Sequence, residues 1–173
     1  LKNVIKNKES INKKKFNQSS VPSWFITALK KNQLNLQKII ESISSEPSLH
    51  LVFKNKNLLK IFKEGHTKTT DLSAFIINKK KIKDLEDYKK GHWWVQDLSS
   101  MLPIHLSPEI KFKKVLDMCA APGGKAFQTL SLDNNVTLND ISLKRSNTLR
   151  TNLERLNFSN EIKNYNALNM LEE

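Results

Sequence analysis

The sequence predicts an α/β fold: the amino-terminal half of a doubly wound parallel sheet, preceded by a small α+β domain. Three observations carry this. Val115-Leu116-Asp117-Met118 reads as a short buried strand, a small-residue turn follows, and a helix is expected from Ala126 to Leu132. A strand, turn and helix in that order form the first unit of a Rossmann-like sheet, whose ligands sit outside the carboxyl ends of the strands. Val136-Thr137-Leu138-Asn139-Asp140 reads as a second strand ending in an acid, and Ile162-Lys163-Asn164-Tyr165 as a third. Upstream, over 21–96, helices alternate with strands and nothing repeats, which is the pattern of a small α+β unit.

Taken in order, Leu1 to Ser20 is polar and lysine-rich and reads as a linker or the end of a preceding helix. Ser20-Val21-Pro22 supplies a cap and an early proline to open the next helix. Leu36, Ile39, Ile40 and Ile43 have helical spacing, and Glu46-Pro47 closes that run. Leu49 to Phe53 predicts a strand, Leu58 to Phe62 a short helix, Leu72 to Ile77 a second strand and Trp93 to Val95 a third. Ser142 is placed to cap a helix whose Leu149, Leu153 and Leu156 share one face. The expected division is 1–20 linker, 21–96 α+β extension and 97–173 incomplete parallel-sheet domain. Three strands lie on one side of the switch point, so strand 115–118 should have one unpaired edge, and the isolated stretch should be marginally stable.

The turn Cys119-Ala120-Ala121-Pro122-Gly123-Gly124-Lys125 carries the chemistry. Glycines let the backbone approach a ligand closely, and the free amides of the following helix turn point at it. Cys119 stands where a P-loop needs its first glycine and Ala126 where it needs Ser or Thr, and G-x-G-x-x-G is absent, which excludes both phosphate-binding signatures. Asp140 lies 16 residues after Gly124, close to the roughly 20 expected of an acid that accepts hydrogen bonds from ribose hydroxyls. Asp117 reads either as an anchor for a ligand's ammonium group or as a brace for the loop. Lys125 reads as a ligand contact or as a counter-charge to a nearby carboxylate. Trp93 and Trp94 fit stacking on bases or a core position. His50, His66, His92 and His105 lack metal-ligand spacing.

Aspartate followed by Cys-Ala-Ala-Pro-Gly-Gly-Lys resembles motif I of the Sun family of RNA cytosine-C5 methyltransferases. The segment Gly91 to Pro103, with Val95-Gln96-Asp97-Leu98-Ser99-Ser100, and the segment Asn152-Leu153-Glu154-Arg155-Leu156 resemble that family as well. The resemblance covers roughly residues 20 to 173. It implies an S-adenosyl-L-methionine cofactor held by Cys119, Ala120, Ala121, Pro122, Gly123, Gly124, Lys125 and Asp140, with Asn166 where the family usually has an aspartate beside the adenine. It implies an RNA substrate, in a bacterial branch the small-subunit rRNA, and a NusB-like helical domain before residue 20. It also implies a small RNA-recognition-like extension and a protein that is monomeric at full length. Cytosine C5 is a poor nucleophile, so methylation there needs a thiolate adding at C6. The family supplies it from Pro-Cys and Thr-Cys segments absent here, so no catalytic residue is assigned within this chain, and Cys119 is a loop residue. A tRNA-modifying relative, a non-catalytic RNA- or cofactor-binding module and a nicotinamide enzyme are the alternatives.

Composition is consistent with this and adds little. Net charge is +12, with 20 Lys/Arg against 9 Asp/Glu over residues 1–100, and 9 against 8 over 101–173. A basic amino-terminal part suits an RNA-binding extension. Only three of the 29 basic residues are arginine, and asparagine is abundant, so an AT-rich genome would give a similar composition. One cysteine and the lack of a long apolar run lead to the expectation of a cytoplasmic protein without membrane or metal.

Overall fold

The structure, a computed structural model, describes residues 21–45, 47–77, 80–111 and 113–169. The chain forms two compact units, Leu1–Pro47 and Ser48–Glu173. The boundary expected at 96/97 therefore falls inside the second unit.

In the first unit, helix α1 spans Ser23–Lys31, and α2 spans Leu36–Ser44. Pro22 occupies the capping position of α1, and Ser20, expected as its cap, lies outside the described residues. Lys30 and Lys31 in the last turn of α1 suit the negative end of its dipole. Asn35 caps α2 by accepting from the Lys38 amide at 2.9 Å. Val21, Leu29 and Ile40 are buried.

The second unit holds two sheets. The antiparallel one is built from β1 (His50–Phe53), β2 (His66–Lys68), β3 (Ser73–Ile76) and β4 (Trp93–Val95), in the order β2-β3-β1-β4. All four residues of β1 are buried, because the strand is central and covered on both faces. Leu51 and Phe53 pack with Leu59, Phe62, Ala74, Ile76, Leu85 and Trp93, while Val52 turns to the opposite cluster with Trp94 and Met101. Trp93 and Trp94 thus enter the cores on either side of β4 and neither offers a face for base stacking. Helix α3 (Lys56–Ile61) starts two residues earlier than expected because Asn55 accepts from the amides of Asn57 and Leu58.

Helix α4 (Leu98–His105) then leads to the parallel sheet; Asp97 caps it through the Ser99 and Ser100 amides. Strands β5 (Lys114–Asp117), β6 (Asn135–Asn139) and β7 (Ile162–Lys163) run parallel in the order β5-β6-β7. Helix α5 (Gly124–Leu130) connects the first pair and α6 (Leu143–Arg155) the second, with the Ser142 hydroxyl capping α6. Leu149, Leu153 and Leu156 are buried, as their spacing predicts, against Val136, Leu138 and Phe127. Among the described residues β5 pairs with β6 alone, and Leu116 and Met118 remain exposed.

Candidate functional site

The parallel strands end at one rim, and the loop from Asp117 to Gly123 folds over it. Three interactions fix the loop from below. The Ala120 amide donates to the Asn139 carbonyl at 2.8 Å, the Ala121 amide to Asp140 Oδ2 at 3.2 Å, and the Cys119 amide to Asp117 Oδ1 at 3.2 Å. Gly123 then takes φ +124, a region side chains rarely adopt, and the Phe127 ring occupies the space a Cβ would fill, at 1.9 Å. Gly124 has ordinary backbone angles; its missing side chain leaves room beside Gln96.

The result is a cleft of about 280 Å³ lined by Cys119, Ala120, Ala121, Pro122, Gly124 and Lys125 from the loop, by Asp117, and by Val95, Gln96, Asp97 and Ser100 from the β4–α4 connection. In the sequence this far wall is visible only as the Val95-Gln96-Asp97 motif, with no role attached to its individual residues. Gln96 is buried and locked in place. Its Oε1 accepts from Trp94 Nε1 at 2.8 Å, its Nε2 donates to Gln128 Oε1 at 3.1 Å, and Gln128 Nε2 donates to the Met101 carbonyl at 2.9 Å. The Gln96 carbonyl meets His50 Nδ1 at 2.7 Å, so that nitrogen carries a hydrogen.

The two loop aspartates differ. Burial pushes the Asp117 carboxyl above the usual range, reinforced by the Asp140 charge and only partly offset by the Cys119 amide and Lys125. Burial opposes the charge on Asp140 too, but the Ser142 amide, Arg145 and the Ala121 amide outweigh it and hold the carboxyl low. Asp140 is fully buried: Oδ1 accepts from Ser142 N and Arg145 Nη2, both at 2.9 Å, and it does not line the cleft. Asn166 is exposed beyond β7, where its Oδ1 accepts from the Leu168 amide, and it too stands apart from the cleft lining. At the Asp97 carboxyl, the Ser99 hydroxyl and the capped amides favour the charged form.

Asn139 has a part that the sequence reading does not assign it. Fully buried at the end of β6, it donates to the Met118 and Tyr165 carbonyls at 3.1 Å each and accepts from the Tyr165 amide at 2.9 Å. One side chain thereby ties together the ends of all three parallel strands. Its only mark in the sequence is its place next to the strand-ending acid. Among the described residues no group of three or more His, Cys, Asp or Glu side chains could hold a metal ion, and no helix is long and apolar enough to cross a membrane.

A parallel sheet with a glycine-bearing loop over its carboxyl rim and an acid closing its second strand is a Rossmann-like arrangement, and ligands of such sheets sit at that rim. Residues 103–171 match the family described as 16S rRNA methyltransferase RsmB/F. Ribosomal RNA small subunit methyltransferase B of Photorhabdus laumondii is 30% identical over 149 residues, covering 79% of this chain and 35% of that protein. The human 28S rRNA (cytosine(4447)-C(5))-methyltransferase is 37% identical over 79 residues, covering 44% of this chain and 10% of that protein. The chain thus spans a minor part of these relatives' length. A methyltransferase homolog protein from Pyrococcus horikoshii has the same fold, with TM-score 0.65 and 21% identity over 78% of this chain and 49% of that one.

Proposed function

We propose that this chain is the cofactor-binding part of an S-adenosyl-L-methionine-dependent methyltransferase acting on C5 of cytosine in RNA, with small-subunit rRNA as substrate. The observation that carries the reading is the Asp117–Lys125 loop folded over the rim of the parallel sheet, with a cleft on its open side. The donor set suits such a cofactor: Asp117 and Asp97 offer carboxylates to its ammonium and sulfonium charges, and the small residues Ala120, Ala121 and Gly124 leave room for its bulk. The cofactor supplies an activated methyl group. Asp140 serves this reading as the brace that shapes the loop, and Asn166 as the candidate adenine contact after β7. The thiolate that must add to C6 belongs to cysteines outside these residues, in keeping with the place of exposed Cys119 in the loop. The antiparallel sheet and its helix serve as the RNA-recognition-like extension, and the protein works in the cytoplasm. Small-subunit rRNA is supported by the likeness to the bacterial small-subunit enzyme and by the match of residues 103–171 to the 16S rRNA methyltransferase family.

Thermal shift of the intact protein with S-adenosylhomocysteine, compared with NAD, tests the cofactor. Stabilisation of about 2.7 kcal/mol is expected at a hundredfold excess over the dissociation constant, with none from NAD. Transfer of labelled methyl to small-subunit rRNA tests the activity. Stabilisation by NAD would overturn the cofactor, and binding without transfer would leave a non-catalytic module.

A further inference from the structure

The wall of the loop cleft that faces Gly124 and Lys125 is the chain leaving β4, Val95-Gln96-Asp97. Strand β4 lies at the edge of its sheet and pairs with β1 alone, and that register ends with Leu51 opposite Val95. One step further along, the Gln96 amide donates to the His50 carbonyl at 3.3 Å. The Gln96 carbonyl accepts from the His50 ring, whose Nδ1 stands 2.7 Å away. A single residue of β1 thus holds both backbone polar groups of Gln96, at the point where the chain turns out of the sheet to form the wall.

The ring is itself held on its far side. His50 is 2% exposed and lies edge-on to Phe75 at 4.8 Å. Its Nε2 meets the Thr69 hydroxyl at 2.9 Å, and that hydroxyl meets Ser73 Oγ at 2.8 Å. Thr69 and Ser73 close the β2–β3 turn, where the Thr69 amide also donates to the Ser73 carbonyl at 2.9 Å. Hydrogen bonds therefore run from this turn, through the imidazole, to the backbone of the cleft wall. Histidine suits the place because its two ring nitrogens, fixed in one plane, serve a partner on each side. Without the ring the Gln96 carbonyl loses its partner, and the wall holds its shape in a smaller fraction of molecules. A ligand's apparent affinity falls by that same fraction.

We infer that His50 is a positioning residue for the cofactor: its ring holds the Gln96 carbonyl, and with it the Val95–Asp97 wall, in the shape that receives S-adenosyl-L-methionine. This rests on the cofactor reading above and adds to it a residue that does not line the cleft. The test is calorimetric titration of the intact protein with S-adenosylhomocysteine, using two substitutions that separate the ring nitrogens. In His50→Asn the side-chain amide can stand where Nδ1 does and keep the bond to Gln96. In His50→Gln it can reach the place of Nε2 and keep Thr69, leaving the Gln96 carbonyl unpaired. His50→Gln should weaken binding roughly tenfold and His50→Asn less than about twofold, each measured below its own unfolding transition. A histidine that only fills the core would give losses that follow the melting temperatures of the two variants. A loss in His50→Asn as large as in His50→Gln, or none in His50→Gln, would therefore overturn the positioning role. A check without variants is NMR of the protein with isotope-labelled histidine, in which S-adenosylhomocysteine should slow exchange of the His50 Nδ1 proton. An unchanged rate would likewise count against the role, whereas no binding by the wild type would overturn the cofactor reading instead.

Discussion

Replacing Gly123 by alanine should unfold the protein at a markedly lower temperature, whereas the same change at Gly124 should not. At Gly123 the backbone sits at φ +124, and a Cβ would stand 1.9, 2.3 and 2.5 Å from three carbons of the Phe127 ring. That ring cannot swing aside. It is 2% exposed, edge-on to Trp94 at 5.8 Å and stacked on Phe158 at 6.3 Å. The unfavourable backbone costs about 1–3 kcal/mol and the overpacking about 1–3 kcal/mol more. Together these remove roughly 2–6 kcal/mol from a native stability of roughly 5–15 kcal/mol, or about 5–20 °C in Tm for a domain of this size. At Gly124 the nearest atoms are Gln96 side-chain carbons at 3.4 Å and the position is helical, so alanine is expected to be neutral or to gain up to about 1 kcal/mol. Adding Phe127→Leu to Gly123→Ala removes the ring and should recover the overpacking part while leaving the backbone part. Urea denaturation of the four proteins measures all of this. Equal stabilities for Gly123→Ala and Gly124→Ala would refute the reasoning.

The two loop aspartates should respond to neutralisation with opposite signs. Asp140 has its folded pKa depressed, so its charge stabilises above the ordinary carboxyl pKa of about 3.9 and loses that effect as pH falls through the folded value. Asp140→Asn should therefore destabilise at neutral pH and flatten the acid limb of the stability curve. Asp117 has its folded pKa raised, so its charge is a liability at neutral pH that fades as pH falls through the raised value. Asp117→Asn, which keeps an acceptor for the Cys119 amide, should equal or exceed wild-type stability at neutral pH and lose that advantage in acid. Asn139→Leu removes the donor to the Met118 and Tyr165 carbonyls and the acceptor of the Tyr165 amide. It should cost roughly 1–3 kcal/mol per unsatisfied group and speed hydrogen exchange at the Tyr165 amide; unchanged exchange there would refute its role as a tie.

What could be read from the chain, and what could not, divides along the range of the interactions. The β5–loop–α5 unit, the Ser142 cap and the leucine face of α6 are local patterns, and they stand within a few residues of their expected places. Strand β2 carries no apolar residue in His66-Thr67-Lys68, because it is held by backbone pairing to β3 at a sheet edge. Helix α4 is hidden by Pro103 within it and is announced chiefly by its Asp97 cap. At the site, Asp140 is legible as a strand-ending acid, but its enclosure depends on Arg145 reaching back five residues along α6 and on the Ala121 amide 19 residues away. The roles of Gln96 and Asn139 depend on partners up to 46 residues distant, which spacing alone cannot reveal.

Gly91 has a consequence for how the second unit works as a machine. Its backbone sits at φ +66, and a Cβ there would lie 2.0 Å from the Arg155 carbonyl, so the turn before β4 touches the last turn of α6 backbone to backbone. Arg155 closes the same seam by donating to the Tyr88 and Trp93 carbonyls at 2.9 and 3.1 Å and by lying 4.3 Å over the Tyr88 ring. The seam leaves no slack between the antiparallel sheet and the parallel one. The two sheets are held as on a jig, and the spacing between the antiparallel sheet and the carboxyl rim of the parallel one becomes a property of the fold.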